Sequence, residues 1–161
     1  MFLDDALVDE GLELLTEEAC WALLRDSDVG RVGVNVVALP AIFPVNYAII
    51  DDTIIFRTAP GSKLTAASQE AVVAFQVDDY DRTNRSGWSV LAIGTAEVVH
   101  DIDTTFKVLA AHLEPWAGGK RTNIVRITPG FISGRRIARD AANGHRTPPT
   151  AALVPSPPPT E

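Results

Sequence analysis

From Arg31 the chain alternates in two-residue steps: Val32, Val34 and Val36 are apolar, while Arg31, Gly33 and Asn35 stand between them. That period predicts a half-buried strand. A turn around Leu39-Pro40 leads to a second strand over residues 41–50, in which Pro44 calls for an edge position or a bulge, since proline donates nothing to a central ladder. Asp51-Asp52 predicts a tight turn into a third strand, 53–58. After an Ala59-Pro60-Gly61 loop, a short helix is expected over 62–69. The next run, 71–78, is almost wholly apolar and is expected to be a central strand. A polar loop over 80–86 precedes a long strand, 87–99, where Gly94 marks a bulge or bend. Two last strands, 123–128 and 131–138, are separated by Pro129-Gly130.

The helical period occurs at two further places. Thr16 offers an N-cap, Glu17 and Glu18 fill the first turn, and Ala19, Cys20, Leu23 and Leu24 share one face of a helix to about Arg25. Asp101 and Asp103 open a second helix to about His112, along which Ile102, Phe106, Leu109 and Leu113 recur at helical spacing. Many strands at short spacing with few, short helices predict a mainly β (α+β) fold closed into a small barrel. The order of elements does not follow a βαβ series, which disfavours a Rossmann sheet.

The ends change the domain picture. Residues 1–12 are expected to form a loosely held arm, and 13–140 the folded domain. After Asp140 the composition turns to Ala, Thr and Pro and ends PSPPPTE, so 141–161 is expected to be a disordered tail that cannot bury a core. At 161 residues, 46% hydrophobic and 22% charged, the chain has the balance of a globular protein. Its net charge of −7 argues against a general nucleic-acid partner, which needs a dense basic face. Cys20 is the sole cysteine, so no intrachain disulfide can form, and a small buried thiol is expected. The acidic start MFLDDALVDEG lacks the basic region of a signal peptide, and no apolar run reaches the ~18 residues of a membrane span, so a cytoplasmic protein without a membrane partner is expected.

The candidate chemistry lies where the third strand meets its loop. Arg57, Thr58, Ser62 and Lys63 put two cations and two hydroxyls around a Pro-Gly loop at a helix start, a fitting phosphate site. The same residues read equally well as a solvated strand end followed by a helix with a serine N-cap. There is no P-loop and no G-x-G-x-x-G run. His100, His112 and His145 are scattered, and no Cys/His cluster suggests a metal.

PVNY at 44–47, FRTAPGSKL at 56–64, SGWSV at 86–90, and Trp116 and Arg126 ahead of SGRRI at 133–137 occur in this order. In these marks the chain resembles the pyridoxamine 5'-phosphate oxidase-like, FMN-binding split-barrel family, in particular its small actinobacterial-type and nitroimidazole-resistance-like members. The similarity spans roughly residues 16 to 137. It implies a six-stranded antiparallel split β-barrel that forms a homodimer with FMN at the interface. It implies that Arg57, Thr58, Ser62 and Lys63 hold the phosphate and that Val45 and Asn46 line the isoalloxazine. Trp88 and Ser89 would reach the flavin from the partner subunit, Trp88 standing where the family has Gln. Trp116 and Arg126 would approach the ring, also from the partner. The implied activity is FMN-dependent oxidoreduction of a small conjugated or electron-poor substrate. The alternatives are a deazaflavin (F420) reductase, a flavin-storing protein without a substrate, and a heme-binding member. The Arg-Leu-His run of true pyridoxamine phosphate oxidases is absent, and no histidine lies in the strand region where the nitroimidazole reductases place theirs.

Overall fold

The computed structural model describes residues 12–62, 64–65, 68–111, 113 and 122–137. In order these form β1 (Leu12–Leu15), α1 (Glu17–Arg25), β2 (Val29–Val36), β3 (Leu39–Ile50), β4 (Thr53–Thr58), β5 (Ala71–Asp81), β6 (Ser86–Val99), α2 (Ile102–Ala110) and β7 (Asn123–Ile137). All strand pairings are antiparallel. Their order β7-β4-β3-β2-β5-β6 closes on itself because β6 also pairs with β7. The expected six-stranded split barrel is therefore present. The sheet has seven strands rather than six, because β1 adds to the ring by pairing Leu12 with Ile137 through Leu15 with Gly134. Residue 12, the last of the expected arm, is thus the first of this strand. The tail over 141–161 and the rest of the arm lie outside the described residues.

Period-two patterning fills the barrel. Val32, Val34, Ile54, Phe56, Val73, Phe75, Val77, Val90, Ala92, Ala96, Val125 and Ile127 point inward and are buried together. Cys20 and Leu24 of α1 complete this core, so Cys20 is the buried thiol expected, and burial pushes its pKa up. Thr16 caps α1, accepting from the Ala19 amide at 3.2 Å. At the other end the buried Tyr47 hydroxyl donates to the Leu24 carbonyl at 2.6 Å, satisfying a helix-end acceptor and tying α1 to β3.

A second cluster lies outside the barrel, where Val108 of α2 and Leu113 pack with Ile55, Val99 and Ile124. Asp101 caps α2, accepting from the Thr104 amide at 2.7 Å. Of the apolar stripe legible in the sequence, only Leu113, beyond the helix end, packs. Ile102, Phe106 and Leu109 are 68%, 64% and 58% exposed, while Thr104 and Val108 are buried.

Several boundaries differ from expectation. The β2–β3 turn is Val37-Ala38, both with positive φ (49° and 63°), and Leu39-Pro40 already belongs to β3. Two positive φ values are what a two-residue hairpin joining right-twisted strands requires, even without glycine. Asp51-Asp52 turns as expected, with φ of 49° and 54°. Pro44 faces Arg31 of β2, in the part of β3 that precedes its β4 pairing at Tyr47, so it holds an edge position. The expected loop over 80–86 shrinks to 82–85, since Tyr80 and Asp81 pair with Gly87 and Ser86. The two final strands are one, β7. Its register shifts where Ile93 faces Phe131 and Gly94 faces Pro129, leaving Gly130 as the extra residue. Among the described residues no helix is long and apolar enough to cross a membrane.

Candidate functional site

The end of β4 gathers three hydroxyls. Thr58 Oγ1 and Ser62 Oγ are 2.8 Å apart, and Ser62 Oγ and Thr65 Oγ1 are 2.9 Å apart. Thr65 Oγ1 also lies 3.4 Å from Thr58 Oγ1 and donates to the Ala59 carbonyl at 3.0 Å. Gly61, with φ of 70°, reverses the chain so that Ser62 comes back over Thr58. Ser62 Oγ then accepts from the Thr65 amide at 3.1 Å, as an N-cap does. Thr65 was not among the expected site residues; the hydroxyl three positions after the cap was the available signal. Nearby in sequence, the fully buried Ser68 hydroxyl has no hydrogen-bond partner among the described residues. Lys63 lies outside the described residues.

Arg57 and Arg126 share the outer face of the barrel, whereas the side chain of Thr58, the next residue along β4, is buried. Arg57 faces Ile124 and Arg126 faces Ile55 across the β4–β7 ladder, which makes the two arginines diagonal neighbours. Arg57 Nη1 donates to the Leu113 carbonyl at 3.3 Å. Arg126 faces Glu97 across β6–β7 and donates to its Oε1 through Nε at 2.8 Å, with Nη2 at 2.7 Å from the same oxygen in an ion pair. Tyr47 pairs with Phe56, so Asn46 and Arg57 occupy the next positions along β3 and β4. Val45, buried and opposite Gly30 of β2, faces inward. The structure thus brings Val45, Asn46, Arg57, Thr58, Ser62 and Arg126 to one end of a single chain. Arg126, which the resemblance assigns to the partner, stands next to the arginine of its own chain's cluster.

Trp88 and Ser89 are elsewhere. They face Arg136 and Arg135 at the far end of β7, whereas Thr58 faces Asn123 at its start. Asn123 and Arg135 are separated by up to about 40 Å of strand at ~3.3 Å per residue. Trp88 and Ser89 border an open cleft of about 540 Å³, shared with Tyr80, Arg82, Arg85 and Arg135. Arg136 lines a neighbouring hollow and lies 3.8 Å from the Glu13 carboxylate. Trp116 lies outside the described residues, as do His112 and His145. Among the described residues no group of His, Cys, Asp or Glu could hold a metal.

The end of β4 thus holds residue types that a phosphate monoester can use: the neutral O–H groups of Thr58, Ser62 and Thr65, with the guanidinium of Arg57 on the adjacent position of the strand.

Comparison with known proteins follows the same geometry. Residues 16–136 match the family model described as pyridoxamine 5'-phosphate oxidase. An uncharacterised protein of Mycobacterium tuberculosis is 37% identical over 144 residues, covering 86% of this chain and 91% of that protein. The solved structure of an FAD-binding protein from Mycobacterium smegmatis superposes with a TM-score of 0.67 at 35% identity, covering 77% of this chain and 97% of that one. An FAD-binding protein from Mesorhizobium loti gives 0.64 at 26% identity, covering 79% of this chain and 99% of that one.

Proposed function

The chain belongs to the pyridoxamine 5'-phosphate oxidase family, and from that premise we propose that it is a flavin-nucleotide-dependent oxidoreductase acting on a small conjugated or electron-poor substrate. The observation that carries this is the convergence of Thr58, Ser62 and Thr65 hydroxyls at the end of β4, one residue after Arg57, in a chain of net charge −7. An acidic protein has no general attraction for anions, so a built cluster of donors points to one anionic group. The relatives from M. smegmatis and M. loti are described as FAD-binding, which supports a flavin and widens the expected FMN to either nucleotide. Both carry a phosphate next to the ribityl chain.

In this proposal Arg57, Thr58, Ser62 and Lys63 hold that phosphate, joined by Thr65. Val45 and Asn46 border the ring, and Arg126 places a cation near it. A bound flavin itself supplies hydride transfer, which leaves this chain's residues to bind, orient and exclude water. Trp88 and Ser89, at the other end of β7, reach the same flavin only from a second copy, and Trp116 is assigned there by the resemblance. The functional unit proposed is therefore a homodimer. Sedimentation equilibrium is expected to give twice the 17.3 kDa chain mass; a monomer that still binds flavin would remove Trp88 and Ser89 from the site.

The test of the phosphate site is Arg57→Ala, with Lys63→Ala beside it. Losing one charge-assisted hydrogen bond worth ~1.5–3 kcal/mol is expected to weaken FMN and FAD about ten- to a hundredfold. Riboflavin, which has no phosphate, should bind the variants nearly as well as it binds wild type. Fluorescence titration of all three ligands measures this. Equal loss of riboflavin and FMN, or no loss of either, contradicts the assignment.

A further inference from the structure

Resting on the proposed place of Arg126 beside the flavin ring, we infer that Glu97 is a positioning residue that sets how strongly Arg126 favours the reduced flavin. The two side chains face each other directly across β6–β7; one carboxylate oxygen accepts from Nε and lies 2.7 Å from Nη2 in the same ion pair. A charge-assisted bond within an ion pair directly across the ladder tethers the guanidinium to the carboxylate. Arg126 also acts on Asp101, the N-cap of α2. That carboxyl is held below the usual range chiefly by the Thr104 amide and hydroxyl, with Arg126 contributing. The cation thus has one carboxylate bonded to it and lies on the same outer face as Arg57.

This arrangement has a chemical consequence. Reduced flavin gathers negative charge at the ring edge that oxidised flavin lacks, so a nearby cation favours it. A carboxylate bonded to that cation competes with the ring edge for its N–H groups and holds the guanidinium back from it. Glu97 thus holds the guanidinium in place and also restrains its preference for the reduced cofactor.

The experiment is potentiometric titration of the FMN-loaded full chain against a reference dye, with FMN affinity measured in parallel. Glu97→Gln keeps an oxygen acceptor for the guanidinium and removes the charge. Reduced FMN should then bind about tenfold tighter relative to oxidised FMN, a rise of ~30 mV in the two-electron midpoint potential. Arg126→Gln should lower the potential, and adding Glu97→Gln to it should produce no further rise. If Arg126→Gln shifts the potential and Glu97→Gln does not, the inference about Glu97 fails while the place of Arg126 stands. A rise that persists in the double variant shows Glu97 acting on the flavin directly and also overturns it, as does a loss of affinity without a change in potential. If Arg126→Gln changes neither affinity nor potential, Arg126 is not at the ring. A wild-type chain that takes up neither FMN nor FAD overturns both.

Discussion

Replacing Phe75 by alanine is expected to destabilise the fold by about 3–5 kcal/mol. The ring is fully buried in the barrel core. It meets Tyr47 edge-on, with centroids 4.8 Å apart and an interplanar angle of 72°. Phe75 is flanked by Val32 of β2 and Ala92 of β6, so it is fixed by ladders on both sides. A closed barrel cannot collapse into the space the ring leaves, and the cavity term persists. Gly30 is shaped by the same ring: a Cβ there would lie 2.3 Å from Phe75 Cζ. Gly30→Ala alone should cost about 1–3 kcal/mol through overpacking. In the Phe75→Ala background that methyl enters vacated space, so the two losses should fall short of additivity by more than ~0.5 kcal/mol. Urea unfolding followed by circular dichroism measures all three variants. A Phe75→Ala loss below ~1 kcal/mol would mean that the ring is not what fills the barrel.

Gly94→Ala should reach or exceed the upper end of the ~1–3 kcal/mol expected for overpacking. A Cβ at Gly94 would stand 2.2 Å from the Thr128 carbonyl oxygen, 2.7 Å from its carbon and 2.8 Å from Pro129 Cα. These are backbone atoms at the β7 bulge, so relief requires a shift of the strand and not of a side chain. Gly33→Ala is the control. Its nearest neighbour would be the Ala74 Cβ at 3.6 Å, an ordinary contact, and its effect should stay within ~0.5 kcal/mol. Thermal melts of both variants decide the matter: a Gly94→Ala protein as stable as Gly33→Ala would show that the bulge is soft. The bulge lies between the Arg126 end of β7 and its Arg135 end, so a shift there should also misplace the two halves of the proposed site relative to each other.

Much of the fold was written locally. Alternation over Arg31–Val36, the Asp51-Asp52 turn, the Thr16 and Asp101 caps and the one-sided place of Pro44 all depend on a residue and its near neighbours. So did the candidate phosphate residues, because cations and hydroxyls around a Pro-Gly turn are legible as residue types. Thr65 escaped because its role depends on Gly61 turning the chain back until three hydroxyls meet. The β2–β3 turn escaped because Leu39-Pro40 carried the stronger turn signal, while the hairpin placed Val37 and Ala38 at positive φ.

The sequence by itself determined the strand periodicity, the two capped helices, the acidic balance and the residue types of the candidate site, since each is encoded within a few positions. Only the tertiary structure decided which distant strands meet. Closure of β6 on β7 made one bulged strand of two expected ones and set Glu97 opposite Arg126, 29 positions away. Pairing of β4 with β7 put Arg126 beside Arg57 and left Trp88 and Ser89 at the opposite end. Packing of α2 on the outside of the barrel buried Val108 and left Phe106 exposed, although Phe106 and not Val108 belongs to the apolar stripe legible in the sequence. Register between remote strands and the choice of a helix's buried face follow from closing the sheet and filling its surfaces, and no short window of sequence carries that information.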